Sequence, residues 1–386
     1  MTDGQARDAP LVSLDATAVP TSPGGAGRYV LDLAAAVGRR ADVGLVLLCR
    51  RGDGRRWREL APAATVVEAA PTPRPLRLGW EQLRLPAVLA AEGIDVHHGP
   101  HYTMPLRAGR PVVVTVHDLS LLDHPEWHQR SKVAFLGHAL RVAARRADAL
   151  VAVSASTAAR LQERLRPRAP VHVIPHGVDH RFRPAAPRPG DADADSDADE
   201  RALVRAGVVP PYVAFLGTLE PRKDVPTLVR AFERVAAGRP DLSLVLAGAP
   251  GWGADAVDQA ISDSPVGARV RLTGYLPEAD KPALLRGAAA VAYPSLEEGF
   301  GLPALEALAC GAPLVTTTGS AMEEVAGDAA LLVPPGDIAA LAEALETTLA
   351  GGPEVDRRSR RGIEVAAGFT WEASAAAHAA VYRSLL

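Results

Sequence analysis

Short apolar runs rich in Val, Leu and Ala alternate along the chain with longer stretches in which apolar residues recur every three or four positions. The first pattern suits strands buried on both faces and the second suits amphipathic helices, so the chain reads as a succession of β-α units around parallel sheets. In the first half it predicts strands over 11–15, 43–49, 95–98, 112–117, 149–154 and 171–174, with helices over 26–37, 78–91, 132–146 and 156–165. The second half repeats the scheme, with strands over 212–216, 242–247, 270–273, 289–293, 314–316 and 330–333 and helices over 225–236, 278–286, 303–309 and 338–349. Two doubly wound α/β domains are expected, and a last helix over 371–386 could cross back onto the first.

Between the halves, residues 183–200 read RPAAPRPGDADADSDADE, a stretch with no apolar period, which predicts a linker or a disordered surface loop. The expected organisation is an N-terminal Rossmann-like domain over 1–182, an acidic linker over 183–210, a C-terminal Rossmann-like domain over 211–365 and a closing helical segment over 366–386. The repeated Asp-x-Asp is not read as a metal site, because it follows no strand and lacks the glycine and distal Glu of a calcium loop.

Composition narrows the class. A length of 386 residues suits two domains, and 48% hydrophobic with 23% charged residues suits packed cores. No apolar run approaches the roughly 20 residues of a membrane span, MTDGQARDAP carries no signal-like pattern, and Cys49 and Cys310 are too far apart for a disulfide framework or a thiolate zinc site. A cytoplasmic protein is expected. Its net charge of −3 hides an asymmetry: residues 1–183 hold 25 basic and 17 acidic side chains, net +8, and the remainder holds 17 and 28, net −11. The basic half is a solvated arginine-rich face or one that rests on anionic lipid at the inner face of a membrane. Nucleic acid is not expected, since no aromatic interleaving or nucleic-acid-binding signature accompanies the basic residues.

Parallel sheets bind ligands at the carboxyl ends of their strands, so the loops leaving strands carry the chemistry. Ser22-Pro23-Gly24-Gly25-Ala26-Gly27-Arg28-Tyr29 opens a helix with glycines that admit an anion close to the backbone, although a plain turn would read the same way. His117-Asp118 ends an apolar strand and points toward the cleft. Gly217-Thr218-Leu219-Glu220-Pro221-Arg222-Lys223-Asp224 sets a planar guanidinium beside a point charge, in a chain with 39 Arg and three Lys, a pairing suited to a diphosphate. In Pro294-Ser295-Leu296-Glu297-Glu298-Gly299-Phe300-Gly301-Leu302-Pro303-Ala304-Leu305-Glu306, glycines and a helix start make a phosphate cradle between two carboxylates eight positions apart, placed to accept hydroxyls from two different sugars. Gly274-Tyr275-Leu276-Pro277 follows a strand and is either a wall for a base or a turn.

These residues resemble glycosyltransferase family 4, retaining enzymes of the GT-B fold, in which two Rossmann-like domains face a central cleft. Glu298 and Glu306 match that family's E-x7-E motif inside EGFGLPALE, GTLEPRKD matches its Arg-Lys loop, and the resemblance covers nearly the whole chain. It implies that Arg222 and Lys223 neutralise the donor diphosphate, Glu298 binds donor-sugar hydroxyls, Glu306 binds the ribose, and the backbone of Phe300, Gly301 and Leu302 reaches sugar and phosphates. It further implies that Gly24 and Gly25 approach the diphosphate, that Gly217, Tyr275 and Leu276 line the donor, and that His117 contacts the transferred sugar. Asp224 stands where the family more often has Asn, and HGVD at 176–179 where NGVD is commoner.

The mechanism so implied is front-face displacement with retained configuration, metal-independent because Arg222 and Lys223 supply the charge, and without any cofactor. The early GGAGRY and VHDLS resemble the bacterial mannosyltransferase-like branch, which points to GDP-mannose as donor, with UDP-hexoses as the alternative. The acceptor would be a hydroxyl of a glycan, a lipid-linked or a small molecule, against Arg28, Tyr29, His98, His101, Tyr102 and Asp118. A GT-B epimerase or a non-transferring sugar-nucleotide-binding module is the competing class. A phosphorylase is disfavoured, since neither Lys132 nor Lys281 sits in a pyridoxal-binding motif.

Overall fold

The computed structural model describes residues 9–185 and 191–386, with side chains throughout except at 191–195. The first eight residues and positions 186–190 of the expected linker lie outside the described residues. The chain divides into two units, one running up to Pro125, from Arg130 to Gly177 and from Thr370 to Leu386, the other comprising Glu126–Gln129 and Val178–Phe369.

The first unit is built on a seven-stranded sheet of β1 (Leu11–Asp15), β2 (Gly44–Arg50), β3 (Thr65–Ala70), β4 (Val96–Gly99), β5 (Val112–Val116), β6 (Ala149–Ala152) and β7 (Val171–Val173), in the order β3-β2-β1-β4-β5-β6-β7. Every pairing is parallel. The second holds β8 (Tyr212–Leu216), β9 (Ser243–Ala247), β10 (Val270–Gly274), β11 (Ala290–Tyr293), β12 (Leu314–Thr317) and β13 (Ala330–Val333), again all parallel, in the order β10-β9-β8-β11-β12-β13. In both sheets the winding direction reverses once, between β1 and β4 and between β8 and β11. Such a reversal leaves a crevice at the carboxyl ends of the two central strands.

The helix Gly25–Gly38 packs Tyr29, Val30, Leu33, Ala34 and Val37 into the same core as Val12, Leu14, Val96 and Val113. The C-terminal helix Trp371–Arg383 joins that core through Trp371, Ala375, Ala379, Val381 and Tyr382, so the last residues complete the first unit.

Three expectations change. The helix predicted over 78–91 is two, Arg74–Leu83 and Leu85–Ala91, because Pro86 lacks the N–H and has the ring that together interrupt a continuous helix. The linker is not a loop where it is described: Asp191–Ala206 is a helix of the second unit, its Ala202 buried, with Asp199 clamping Arg286 through both carboxylate oxygens at 2.7 and 2.5 Å and Arg205 reaching Asp280 at 2.6 Å. Asp197 and Glu200 stand on its exposed face. The edge strand β3 and the helices Gly54–Leu60, Asp255–Asp263, Ala321–Ala326 and Pro353–Ala367 have no counterpart in the expected elements.

Candidate functional site

In the second unit the two strands at the reversal deliver the two loops singled out for donor chemistry. Leaving β8, the chain makes a 3-10 turn, Pro221–Lys223. Leaving β11, it runs through Ser295 and Glu298 into the helix Leu302–Ala309, capped by Gly301. The loops are stitched together by Leu296 N–H donating to Arg222 carbonyl oxygen at 2.8 Å.

Their side chains form one cluster. Glu298 is buried; its Oε2 accepts from Arg222 Nη1 at 2.6 Å, and its Oε1 accepts from Lys223 Nζ and from Ser295 Oγ at 2.9 Å. Arg222 also pairs with Glu220 at 2.8 Å, so the cluster holds two cations and two carboxylates. Burial opposes ionisation of Glu298, but the charges and hydrogen bonds of Arg222 and Lys223 outweigh it and hold the carboxyl at about 2. Burial and the neighbouring Arg222 pull Lys223 below the usual lysine range against the pull of Glu298 and Glu220. Sequence reasoning assigned the cations and Glu298 to separate parts of a donor; the structure couples them directly.

Tyr293 and Ser295 belong to this cluster although motif reasoning passed over them. Lys223 Nζ donates to Tyr293 Oη at 2.5 Å and lies 4.7 Å from the ring centroid, while the ring stacks on Phe215 at 5.6 Å. The signal available was the end of β11, where YPS precedes the acidic pair. Glu306 is buried on the following helix and acts electrostatically on the same tyrosine, whose hydroxyl is held well above its ordinary range first by burial and then by Glu298. Phe300 is buried with its ring edge-on to Phe369 at 5.9 Å. Gly301 has φ +93°, a left-handed backbone that favours glycine, and a Cβ there would lie 2.4 Å from Met322 Sδ and press that side chain aside. Gly217 leaves β8 beside Tyr293; farther along the sheet edge Tyr275 is exposed and Leu276 buried.

In the first unit, Gly24 caps the helix Gly25–Gly38 with ordinary dihedrals, and a Cβ at Gly24 or Gly25 would meet nothing within 4 Å. Neither glycine is demanded by the chain's own packing. Arg28 pairs with Asp32 one turn on, at 2.8 Å.

His117, half-buried after β5, donates from Nε2 to Pro100 carbonyl oxygen at 2.8 Å, so its Nδ1 is the acceptor nitrogen of the neutral ring. Burial keeps it neutral by pulling its pKa down against Pro100 and Asp118. His101 and Tyr102 flank it, with ring centroids 5.9 Å away in each case.

Two acceptor-side expectations are corrected. Tyr29 is wholly buried, its hydroxyl 2.9 Å from both Thr115 Oγ1 and His378 Nε2. His98 is an interior residue of β4, bound to Tyr382 Oη at 2.8 Å and Thr115 Oγ1 at 2.7 Å. Both sit in a polar core that docks the C-terminal helix, with no face toward an acceptor. Asp118 turns to its own loop, where Oδ1 accepts from Ser120 N–H at 3.1 Å and Ser120 Oγ at 2.8 Å.

Two families match the two halves. Glycosyltransferase Family 4 matches residues 23–182, and Glycosyl transferases group 1 matches residues 210–351. The O-antigen chain mannosyltransferase B of Escherichia coli is 29% identical over 72% of this chain and 71% of its own. The glycogen synthase of Mycobacterium tuberculosis is 29% identical over 79% and 70%. The sucrose-phosphate synthase of Thermosynechococcus elongatus superposes with a TM-score of 0.78 at 22% identity, over 97% of this chain and 99% of that one, which establishes the shared two-domain GT-B fold. With both halves matched and the motif residues gathered at the sheet reversal, the chain belongs to the family 4 glycosyltransferases.

Proposed function

We propose that the protein moves a hexose from a nucleoside-diphosphate sugar to a hydroxyl with retention of configuration, and that its donor is GDP-mannose. The observation that carries this reading is the Arg222-Lys223-Glu298 cluster at the reversal between β8 and β11. A diphosphate entering the crevice meets two cations already positioned by a carboxylate. As the glycosidic bond breaks and charge grows on the leaving diphosphate, Arg222 and Lys223 stabilise it. Glu298, relieved of part of that pairing, turns its oxygens to the hydroxyls of the sugar, and Glu306 takes the ribose. His117 Nδ1 accepts from a hydroxyl of the transferred sugar. No side chain is assigned as a nucleophile; the leaving diphosphate takes the acceptor proton on the same face.

Mannose is favoured by the relative named a mannosyltransferase, while the relative named a glycogen synthase, at the same identity, keeps other hexoses, UDP-hexoses among them, as the second reading. A panel of GDP- and UDP-sugars, followed by the release of free nucleoside diphosphate and the anomeric configuration of the product, tests both. Retention with GDP-mannose is expected, and an inverted product overturns the mechanism. Because the two cations carry the charge, turnover should persist in EDTA. Loss of turnover restored by manganese would contradict their role.

A further inference from the structure

A second site lies in the first unit. The helices Arg74–Leu83 and Arg130–Arg146 and the loop after β4 enclose a cavity of about 400 Å³, within the range of small-molecule sites. Leu78, Met104, Phe135, Ala139 and Val142 make its walls apolar. Leu106 and His138, both exposed, mark where it reaches the surface. Gln82 fastens the loop to the helix, donating to Met104 carbonyl oxygen and accepting from Leu106 N–H, each at 3.0 Å.

Among these walls stands one carboxyl group. Glu81 is 5% exposed, and its Oε1 is buried without a hydrogen-bond partner. Thr103 bonds to its side chain, and Asp15 and Arg77 are the charged groups acting on it. An apolar cavity gains nothing from a buried carboxyl whose oxygen is left unsatisfied unless something else completes the bond. Burial, reinforced by Asp15, pushes this carboxyl up to about 8 against Thr103 and Arg77, so near neutral pH it both donates and accepts, as a hydroxyl partner does.

We propose that this cavity binds an apolar alcohol, the alkyl part against Leu78, Phe135 and Val142 and the hydroxyl on Glu81. The loop that lines it is the one whose Pro100 carbonyl holds His117, four residues before Met104. The ligand is thus the apolar, non-reacting part of the acceptor, an assignment that rests on the transferase reading.

The experiment is calorimetry with two isomers, octan-1-ol and heptyl methyl ether, which share size and apolar area but not the donor hydrogen. The intact chain should bind octan-1-ol at one site and the ether at least tenfold more weakly. Glu81→Leu should erase that difference. Gly79→Phe, at an exposed lining position where a Cβ meets nothing within 4 Å, and Ala139→Phe on the opposite wall should each abolish binding of both. Equal binding of the isomers by the unaltered chain, binding that survives both Phe variants, or no binding would overturn the proposal. GDP and UDP binding is measured on the same samples. Lost alcohol binding with intact nucleotide binding fails the cavity alone, whereas intact alcohol binding without nucleotide binding fails the transferase reading alone.

Discussion

Lys223 and Glu298 meet in one buried contact, which decides what each substitution does. Lys223→Ala removes a cation needed most when the diphosphate departs. A lost charge-assisted hydrogen bond of about 1.5–3 kcal/mol predicts a ten- to hundredfold fall in kcat, measured at saturating donor. Glu298→Gln behaves differently from what its motif role alone implies. Read only as a reader of sugar hydroxyls, it should leave bare nucleotide binding untouched. In the structure its charge balances Arg222 and Lys223, so its removal leaves the buried Lys223 and the half-buried Arg222 beside it short of compensation, a destabilisation of about 3–5 kcal/mol for a broken buried pair. A bound diphosphate restores the missing charge. Glu298→Gln should therefore melt earlier alone and gain more from added GDP or UDP than the unaltered protein does in thermal denaturation. An equal gain would separate Glu298 from the cations.

Among the secondary-structure elements, two helix starts look alike in sequence and differ in tolerance. Gly301 has left-handed dihedrals and Met322 Sδ against it, whereas Gly25 is helical with open space beyond its Cα. Gly301→Ala should cost about 1–2 kcal/mol from backbone strain and lower the melting temperature of the second unit. Gly25→Ala should leave stability unchanged or raise it by up to about 1 kcal/mol, so any loss of transfer in that variant reports on ligand approach. Equal melting shifts in the two variants would refute the distinction. The acidic helix Asp191–Ala206 follows the same logic of local anchoring: Asp199 locks Arg286, so Asp199→Asn should weaken the second unit although the segment reads as solvated linker.

For the whole molecule, the described histidines held below their ordinary range all lie in the first unit. Burial holds His97 and His378 at about 4 and His101 at about 3, and it pulls His98, His117 and His176 down as well. The unfolded chain protonates these rings near pH 6.5 and the folded one does not, so stability is lost as pH falls below about 6.5 and goes on falling toward the folded values. Each such ring contributes up to about 1.4 kcal/mol per pH unit. Glu81 of the same unit works the other way, since its raised carboxyl takes up a proton on folding, but it is one group against six rings. Calorimetry between pH 6.5 and 5 should show the transition of the first unit dropping ahead of that of the second; parallel shifts would contradict the assignment. No helix among the described residues is long and apolar enough to cross a membrane.

The sequence by itself determined two parallel α/β sheets, since strands buried on both faces must be continuous apolar runs. It also marked the two loops that meet in the Arg222-Lys223-Glu298 cluster, since glycines, a cation pair and spaced carboxylates stand out at strand ends. It could not place side chains in depth. Tyr29 and His98 read as cleft residues because their segments adjoin strand ends, and only packing against the C-terminal helix, some 280 to 350 residues away in the chain, shows them occupied by Thr115, His378 and Tyr382. Tyr293 and Ser295 gain meaning only when β8 and β11 become neighbours and bring Lys223 and Glu298 onto them. Glu81 looks like one more charge on an amphipathic helix until tertiary packing buries it in the wall of an apolar cavity.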